Sequence, residues 1–412
     1  MTDCCSTPGL MTLHEGLEKL MTETPIVTET ETVALTDCLD RVLADRIISP
    51  VNVPSHDNSA MDGYAVRFSD LAQHSVLPLA GKSLAGHPYQ GTLPAGHCIR
   101  IMTGASIPEG ADTVIMQEQT ETTGQGIAFT KLPSRAGSHV RYAGEDIPEG
   151  CQVFEQGHVF KTQDIGLLAS LGIPSVPVIR KIKVALFSTG DELKLPGEAL
   201  GLGDIYDSNR FAVSAMLKRL GAEVIDLGKL QDNRDEIREA FLKADQQSDV
   251  VITSGGVSVG EADFVKDILN EIGHTSFWKL AIKPGKPFAF GRLPNSVFFG
   301  LPGNPVSATV TFQQLAAPAL RRMMGAKPAP VTELSATCLT PLKKQPGRLE
   351  FQRGILSTNE KGEAEVVTTG SQGSGILRSM SMANCFIVLP TLQGNLDAGE
   401  TVKVQMFDKV LG

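Results

Sequence analysis

The stretch DVVITSGGVSVGEADFVKDILNEI, residues 249–272, indicates the fold because it joins a strand to a helix through a glycine turn. Residues 249–253 are short and β-branched, as in a buried parallel strand. Residues 261–272 have apolar side chains at the spacing of an amphipathic helix. The glycine pair between them lets backbone N–H groups converge at a helix start, which favours an anion. The turn therefore predicts a binding site for a phosphate-like group.

Strand and helix patterns alternate outward from this turn, from Lys181 to about Met324. The strand patterns are KVALFST, EVIDLG and SVFFG, and the helix patterns cover residues 209–220, 235–244 and 305–324. This alternation predicts a mainly parallel sheet with helices on both faces. Ligands of such a sheet bind beyond the carboxyl ends of its strands.

The flanking segments differ from this central part. Residues 10–22 have the pattern of an amphipathic helix, with Thr12 and Glu15 spaced as a capping box. From about residue 50 to 146 the chain has short β-branched runs between Gly and Pro turns, and short strands return from about residue 330 to 412. The predicted fold class is therefore α/β plus β, in several domains, with a small barrel or sandwich at the C-terminal end.

Composition excludes some functions. The chain has 412 residues, 42% of them hydrophobic, and a net charge of −9, which argues against a general nucleic-acid binder because such proteins need a basic face. Seven scattered cysteines without a C-x-x-C pair suit a reducing cytoplasm better than a disulfide framework or a zinc site. No signal peptide or membrane-spanning segment is expected, so we predict a cytoplasmic protein without membrane contacts.

Three loops are expected at the carboxyl ends of neighbouring strands: STGDEL (188–193), TSGGVSVGEAD (253–263) and GLPGNPVS (300–307). They combine backbone N–H groups and hydroxyls with four carboxylates, those of Asp191, Glu192, Glu261 and Asp263. This chemistry suits a phosphate ester with Mg²⁺. No loop has the Walker A or the dinucleotide pattern, and a single glycine turn is as often only a tight connection.

Two further segments have both a functional and a structural interpretation. KLAIKPGKPFAF, residues 279–290, places three lysines on a constrained loop, which suggests oxyanion contacts or a solvated lysine cluster. HDNSAMDGYAV, residues 56–66, contains Asp62-Gly63, a strong signal for a hairpin turn. Asp57 and Asp62 are alternatively carboxylates that face a metal or water.

Eight motifs, in chain order, closely resemble the bacterial molybdopterin molybdenumtransferases of the MoeA family, to which the E domain of gephyrin also belongs. The motifs are DNSAMDGYAV, RIMTGA, GEDI, STGDEL, SGGVSVGEADF, KPGKPFAFG, GLPGNPVSAT and GRLEFQRG. The resemblance covers essentially the whole chain.

The resemblance implies the insertion of molybdate into adenylated molybdopterin, with Mg²⁺-dependent cleavage of the adenylate and release of AMP. It also implies an elongated homodimer in which the α/β domain of one subunit meets the β-rich domain of the other. The implied domains are an elongated helical/β linker domain (1–50 and 147–178), a β-rich domain (51–146), a three-layer α/β/α molybdopterin-binding domain (179–327) and a C-terminal β-barrel (328–412). Molybdopterin adenylyltransferase and other proteins of cofactor biosynthesis are candidate partners.

The resemblance also assigns site residues. The implied catalytic residues are Asp62, Thr103, Glu192 and Asp263, with Asp62 and Glu192 at the metal. Gly255, Gly256 and Ser258 are expected at the pterin phosphate, and Lys279, Lys283 and Ser374 at molybdate. The implied substrate-binding residues also include Asp146, Asp232, Pro302 and Pro305. The context of Asp232 equally suits a helix cap.

Two other functions stay open on the sequence. The single-domain molybdopterin adenylyltransferases resemble residues 180–325, including the SGG turn, although the accompanying domains favour the molybdenumtransferase. A non-catalytic scaffold related to gephyrin is the second alternative, and the carboxylates and lysines of the motifs weigh against it.

Overall fold

The computed structural model describes residues 9–255, 264–328 and 330–412. In the N-terminal part, α1 (Leu13–Glu23) begins at the predicted capping box, in which Thr12 Oγ1 accepts the N–H of Glu15 at 3.2 Å and the Glu15 carboxylate accepts the N–H of Thr12 at 2.8 Å. The following elements are β1 (Thr30–Ala34), β2 (Ile47–Ile48), β3 (Asn58–Ser59), β4 (Gly63–Val66), β5 (Val76–Leu77), β6 (Leu79–Ser83), β7 (Cys98–Ile101), β8 (Thr113–Met116), β9 (Thr120–Thr123), β10 (Gly126–Phe129), β11 (Val140–Arg141), β12 (Gln152–Phe154), α2 (Thr162–Ser170) and β13 (Ser175–Ile179).

These strands form two groups. β1 pairs with β13 and β2 with β12, so the first 50 residues fold against residues 152–179. Between them, the segment rich in short strands has its own sheets, in the orders β6-β7-β4-β8 and β5-β10-β9, with a separate β3–β11 pair. The β-rich segment is therefore inserted into the first unit. The four-domain division with boundaries at residues 50, 146, 178 and 327 stays a prediction.

The central part contains β14 (Lys183–Thr189), β15 (Leu193–Lys194), β16 (Ile205–Tyr206), α3 (Asn209–Leu220), β17 (Glu223–Leu230), α4 (Arg234–Gln247), β18 (Val250–Ser254), α5 (Phe264–Ile272), β19 (His274–Lys279), β20 (Ile282–Lys283), β21 (Pro287–Arg292), β22 (Val297–Leu301), α6 (Pro305–Thr311) and α7 (Ala317–Met323). The six-stranded sheet has the order β17-β14-β18-β22-β21-β19, and β21 alone runs against its neighbours. The predicted mainly parallel sheet is confirmed. A π-helical turn at Phe312–Ala316 joins α6 to α7, so the helix predicted over 305–324 is continuous but irregular.

Both faces of this sheet are covered, as the alternation of buried side chains requires. On one face, Leu186 and Ile252 pack with α3, α6 and α7; on the other, Phe187 and Val251 pack with α4 and α5. The result is the predicted three-layer α/β/α arrangement.

The C-terminal strands are β23 (Glu333–Cys338), β24 (Leu349–Thr358), β25 (Ala364–Thr368), β26 (Cys385–Leu389) and β27 (Thr401–Met406), with α8 (Leu377–Met382) between β25 and β26. They pair in the order β24-β25-β23-β27-β26, and β26 pairs again with β24, which closes the ring. A closed ring leaves no free sheet edge, so this unit is a barrel rather than a sandwich. Phe351 and Phe386 of the barrel belong to the same core as α3 and α6.

A half-buried ion pair stabilises the amino end of the central strand β18. The Arg180 guanidinium donates to both carboxylate oxygens of Asp249 at 2.8 Å, and the N–H of Lys183 donates to Asp249 at 2.7 Å. Burial alone would raise the pKa of Asp249, but these donors outweigh it and hold the pKa below its usual range. The pair therefore stabilises the fold only where Asp249 is ionised.

We expect Asp249→Asn to lower the free energy of unfolding by about 2 kcal/mol at pH 7. The pKa of Asp249 is lower in the folded state than in the unfolded state. The loss of unfolding free energy in Asp249→Asn is therefore fully present above the unfolded pKa of about 4, and it shrinks as the pH falls through the folded-state pKa. Urea unfolding at pH 7 and pH 3 measures it. Glu29→Gln is the control, since Glu29 contacts the same arginine at 3.5 Å but is exposed. An equal loss in Asp249→Asn at both pH values would contradict the expectation.

Candidate functional site

Three loops meet at the carboxyl end of the central sheet. β14, β18 and β22 are adjacent and parallel, so the loops that follow them lie side by side. Gly255 lies between the other two: its N–H donates to the carbonyl of Leu301 at 3.3 Å, and a Cβ on it would lie 2.9 Å from the carbonyl oxygen of Thr189. Its φ of +96° and this close approach require glycine. Gly256, Ser258 and Asp263, also predicted for this turn, lie outside the described residues.

A group of carboxylates stands at the first of these loops. The Glu192 carboxylate lies over Gly190, and Asp191 Oδ1 accepts the N–H of Asp232 at 3.1 Å. Although Asp232 is exposed as a residue, partial burial of its carboxyl group raises its pKa, and the charges of Asp191 and Glu192 add to the rise. The negative charges of Asp191 and Glu192 therefore act on the carboxyl group of Asp232.

Asp232 is not the cap of α4. The N-cap is Asn233, whose side-chain oxygen accepts the N–H groups of Asp235 and Glu236 at 3.0 and 3.1 Å. The structural interpretation of Asp232 is therefore wrong, and α4 does not need its carboxylate. Asp232 instead faces the carboxylates of the first loop.

The third loop, GLPGNP, touches the barrel. Pro302 is buried and Pro305 is the first residue of α6, where its fixed φ suits a helix start. The N–H of Val306 donates to the carbonyl of Ser374 at 3.0 Å. This bond places Ser374 next to Val306, the residue that follows Pro305.

Arg353 fixes the Ser374 segment, and its importance was not recognised from the sequence. It is 1% exposed, and its guanidinium donates to the Gly373 carbonyl and to Ser379 Oγ, both at 3.0 Å. Burial lowers the pKa of Arg353 to about 10. The GRLEFQRG motif contains this residue, but only the fold shows that it is buried against the loop of Ser374.

Lys279 lies at the same edge of the central sheet, whereas Lys283 lies in β20, which pairs with β24 of the barrel. β19 runs parallel to β22, so both strands end at the same edge of the sheet, β19 at Lys279 and β22 at Leu301. Lys279 is exposed, whereas Lys283 Nζ lies 3.1 Å from Glu350 Oε1, a carboxylate that is 4% exposed. The alternative interpretation, a solvated lysine cluster, therefore does not apply to Lys283. Lys344, also not singled out from the sequence, is buried near Glu350, and burial lowers its pKa.

Asp62 and Thr103 form a second, separate group. Asp62 Oδ1 accepts both the N–H and the hydroxyl of Thr103 at 2.7 Å, and these two bonds hold the pKa of Asp62 below its usual range. The hairpin predicted at Asp62-Gly63 is wrong, because β3 pairs with β11 while β4 pairs with β7 and β8. Gly63 is needed for another reason: a Cβ on it would overlap the carbonyl oxygen of Ile115 in β8.

Asp146 lies on an exposed loop of the same unit, and its N–H donates to the carbonyl of Val53 at 3.1 Å. Asp57 holds this loop, since its carboxylate accepts the N–H of Ala143 at 2.8 Å. Within the described part of the chain, no hydrogen bond or ion pair joins residues 51–146 to the loops at the sheet edge. Within one described chain, Asp62, Thr103 and Asp146 are therefore not bonded to Glu192, Asp232 or the lysines.

Two general features limit the chemistry of a single chain. Among the described residues, no three His, Cys, Asp or Glu side chains stand together as a ready metal site. In the same residues, every helix is too short or too polar to cross a lipid bilayer.

Comparison with known proteins matches this arrangement over nearly the whole chain. Three family models match: the MoeA N-terminal region (domain I and II) at residues 11–172, a probable molybdopterin binding domain at 185–322, and the MoeA C-terminal region (domain IV) at 335–407. The molybdopterin molybdenumtransferase of Haemophilus influenzae is 51% identical over 98% of this chain and 100% of its own.

The chain belongs to the MoeA family. It is an enzyme of molybdenum cofactor biosynthesis, as the sequence motifs predicted. The solved MoeA protein of Pyrococcus horikoshii has a TM-score of 0.83 and 30% identity, over 97% of this chain and 100% of that one. Gephyrin of Dictyostelium discoideum is 32% identical over 91% of this chain and 59% of gephyrin, so the predicted relation to gephyrin is confirmed.

Proposed function

We propose that this MoeA-family enzyme is a molybdopterin molybdenumtransferase: it inserts molybdate into adenylated molybdopterin, cleaves the adenylate and releases AMP. The observation that carries the proposal is the meeting of the three loops at Gly255, where backbone, hydroxyls and carboxylates surround one edge of the sheet. Such an edge suits a phosphorylated ligand. The name of the Haemophilus influenzae relative supports this choice of reaction.

Substrate binding is assigned to the sheet edge and the barrel. The SGG turn, with Gly255, Gly256 and Ser258, holds the pterin phosphate, and the GLPGNP loop with Pro302 and Pro305 shapes the pterin pocket. Lys279, Lys283 and Ser374 receive molybdate. The pairing of Lys283 with buried Glu350 fits this role, because it fixes the ammonium group while leaving 44% of the side chain exposed.

Catalysis is assigned to the acidic residues. Asp62, Thr103, Glu192 and Asp263 act at the phosphoanhydride, and Asp146 and Asp232 contact the substrate. Thr103 keeps Asp62 ionised and fixes one of its oxygens. The other oxygen then holds an attacking oxygen or a metal in line with the bond that breaks.

The donor set fits Mg²⁺. Asp191, Glu192 and Asp232 crowd negative charge at one strand end, and the raised pKa of Asp232 is relieved when a cation binds. Glu192 and Asp62 would hold the ion, which would neutralise charge on the departing AMP.

We propose a homodimer in which Asp62 of one subunit completes the sheet-edge site of the other. The lack of any described hydrogen bond or ion pair between the two groups within one chain supports this assembly. Exposed apolar side chains lie next to both groups: Met61 beside Asp62, and Leu200, Leu202 and Ile205 in and just after the loop between β15 and β16. Apolar surface of this kind is commonly buried in obligate dimers.

We further place the enzyme in the cytoplasm, where molybdopterin adenylyltransferase would hand over its product. Cys38, Cys98, Cys338 and Cys385 are buried free thiols, which suits a reducing compartment. Burial raises the pKa of Cys98 to about 12, so this thiol stays protonated and unreactive.

The proposed reaction predicts stoichiometric products. Incubation with adenylated molybdopterin, Mg²⁺ and molybdate should release one AMP for each molybdenum bound to the pterin, and removal of Mg²⁺ with a chelator should stop both. AMP is measured by chromatography and molybdenum by elemental analysis. AMP release without bound molybdenum would contradict the proposal.

A parallel incubation with molybdopterin and ATP separates the alternative functions. An adenylyltransferase would convert molybdopterin and ATP into the adenylated product, so accumulation of that product would favour it. A scaffold related to gephyrin would show neither activity, and variants of Glu192 and Lys279 would leave molybdenum insertion in cells unchanged.

A further inference from the structure

The segment DSNR, residues 207–210, lies between two loops of the site and bonds to both sides. We infer that Asn209 is a positioning residue, which holds the GLPGNP loop in its substrate-binding form. This inference rests on the proposed function, since it concerns the loop assigned to the pterin.

One end of the segment is fixed to the strand that precedes the carboxylate loop. Asp207 is 2% exposed; its carboxylate accepts the Ser188 hydroxyl at 2.6 Å, and its N–H donates to the Lys194 carbonyl at 2.9 Å. Ser188 is in β14 and Lys194 in β15, so Asp207 joins both sides of the STGDEL loop. A buried carboxylate with these partners has one stable position.

Arg210 completes the anchor. Its Nε donates to Asp207 at 2.9 Å, and its Nη1 donates to Asp226 of β17 at 2.5 Å. Gly228 follows Asp226 at a bulge of β17 with a φ of +80°, and its N–H donates to the same Asp226 side chain at 2.9 Å. The segment is thus fixed to β14 and β17, and it forms a rigid base for Asn209.

From this base, Asn209 reaches across to the other loop. Its side-chain Nδ2 donates to the carbonyl of Gly303 at 2.7 Å. In the described chain this is the one side-chain hydrogen bond to residues 302–304. Gly303 is exposed, and a Cβ on it would meet no atom within 4 Å, so the space beside its Cα is open.

Fixing the Gly303 carbonyl fixes the orientation of the whole peptide plane, because the peptide is planar and trans. Without the bond, the exposed Gly303 can adopt several backbone conformations. Substrate then binds only the fraction of molecules whose loop has the correct form, which weakens apparent affinity without changing the reacting groups. Asn209 therefore affects substrate binding and leaves the chemical step unchanged.

Asn209→Ala is expected to raise the KM for adenylated molybdopterin about tenfold while kcat of AMP release stays within about twofold. Asn209→Asp, which keeps the shape but places an acceptor against the Gly303 carbonyl, should raise KM further. Asn295→Ala is the matched control. The Nδ2 of Asn295 makes a similar bond, 2.9 Å to Asp245. Asn295 lies just before the start of β22, at the opposite edge of the sheet from the GLPGNP loop. Asn295→Ala should leave both constants within twofold.

The outcomes separate this inference from the proposed function. If the wild-type enzyme releases no AMP, both the proposed function and this inference are wrong. An active wild type with an unchanged KM in Asn209→Ala overturns the positioning role alone. A fall in kcat at constant KM, or an equal rise of KM in Asn295→Ala, also overturns it, because either would show a catalytic or a general structural effect.

Discussion

Asp62→Asn is expected to reduce AMP release from adenylated molybdopterin by at least about a hundredfold, while molybdopterin binding stays within about twofold. The substitution keeps the acceptor that Thr103 binds, since Asn also presents an Oδ1. It removes the charge that Thr103 stabilises and that the proposed reaction needs. The measurement is single-turnover AMP release, with equilibrium binding of molybdopterin in parallel.

The direction of the pKa shift sharpens this expectation. The two hydrogen bonds from Thr103 lower the pKa of Asp62, so the carboxylate is ionised throughout the neutral range. Because wild-type Asp62 stays ionised and Asn has no titratable group, the ratio of the wild-type rate to the Asp62→Asn rate should not change through Asp62 between pH 6 and 8. Raising Mg²⁺ should recover part of the rate if Asp62 acts as a metal ligand.

Asp62→Ala should give the same loss of AMP release, because it removes the same charge. Asp70→Asn is the matched control in the same unit: its carboxylate also accepts a backbone N–H, that of Gly96 at 2.9 Å, but it does not bond to Thr103. It should release AMP at the wild-type rate. AMP release at the normal rate in Asp62→Asn would remove Asp62 from the reaction.

The sequence predicted the central fold well because its signals are local. The β-branched run at 249–253 and the amphipathic run after it correspond to β18 and α5, and the capping box at Thr12 is present as expected. The hairpin predicted at Asp62-Gly63 was wrong because glycine is needed there for another reason. Gly63 leaves room for the neighbouring strand β8, and only the pairing of β4 with β8 shows this.

Prediction of the site was limited by contacts between distant residues. Motif resemblance located Lys283 and Ser374, but their buried neighbours Glu350 and Arg353 reach them only through the folded barrel, Glu350 from more than 60 residues away in the chain and Arg353 from about 20. Asp232 was also ambiguous, because Asp and Asn are both good N-caps and stand next to each other there. Which one caps α4 depends on backbone geometry, which the sequence alone does not specify.

The proposed homodimer with a shared site predicts complementation between two inactive chains. In a dimer of one Asp62→Asn chain and one Glu192→Gln chain, one site receives the intact Glu192 of the first chain and the intact Asp62 of the second. The other site receives both substitutions. Random pairing makes half of the dimers mixed, so the mixture should recover about a quarter of the wild-type rate of AMP release.

We expect complementation because the Asp62 group and the Glu192 group are not bonded to each other within one described chain. Asp62 is fixed by Thr103 in the β-rich unit, Glu192 lies beside Gly190 at the sheet edge, and the described hydrogen bonds and ion pairs of a single chain do not connect them. Each homodimeric variant should be nearly inactive, since both of its sites lack the same carboxylate. Mixed dimers are obtained by co-expression with two affinity tags and sequential purification.

The control is a mixed dimer in which one chain is wild type and the other carries both substitutions. Each of its sites lacks one carboxylate, so it should be nearly inactive even though half of its chains are intact. If each chain instead contained a complete site, this control would retain half of the activity and the mixture of single variants none. The two arrangements therefore give opposite results in the same pair of proteins, and an active control would overturn the shared site.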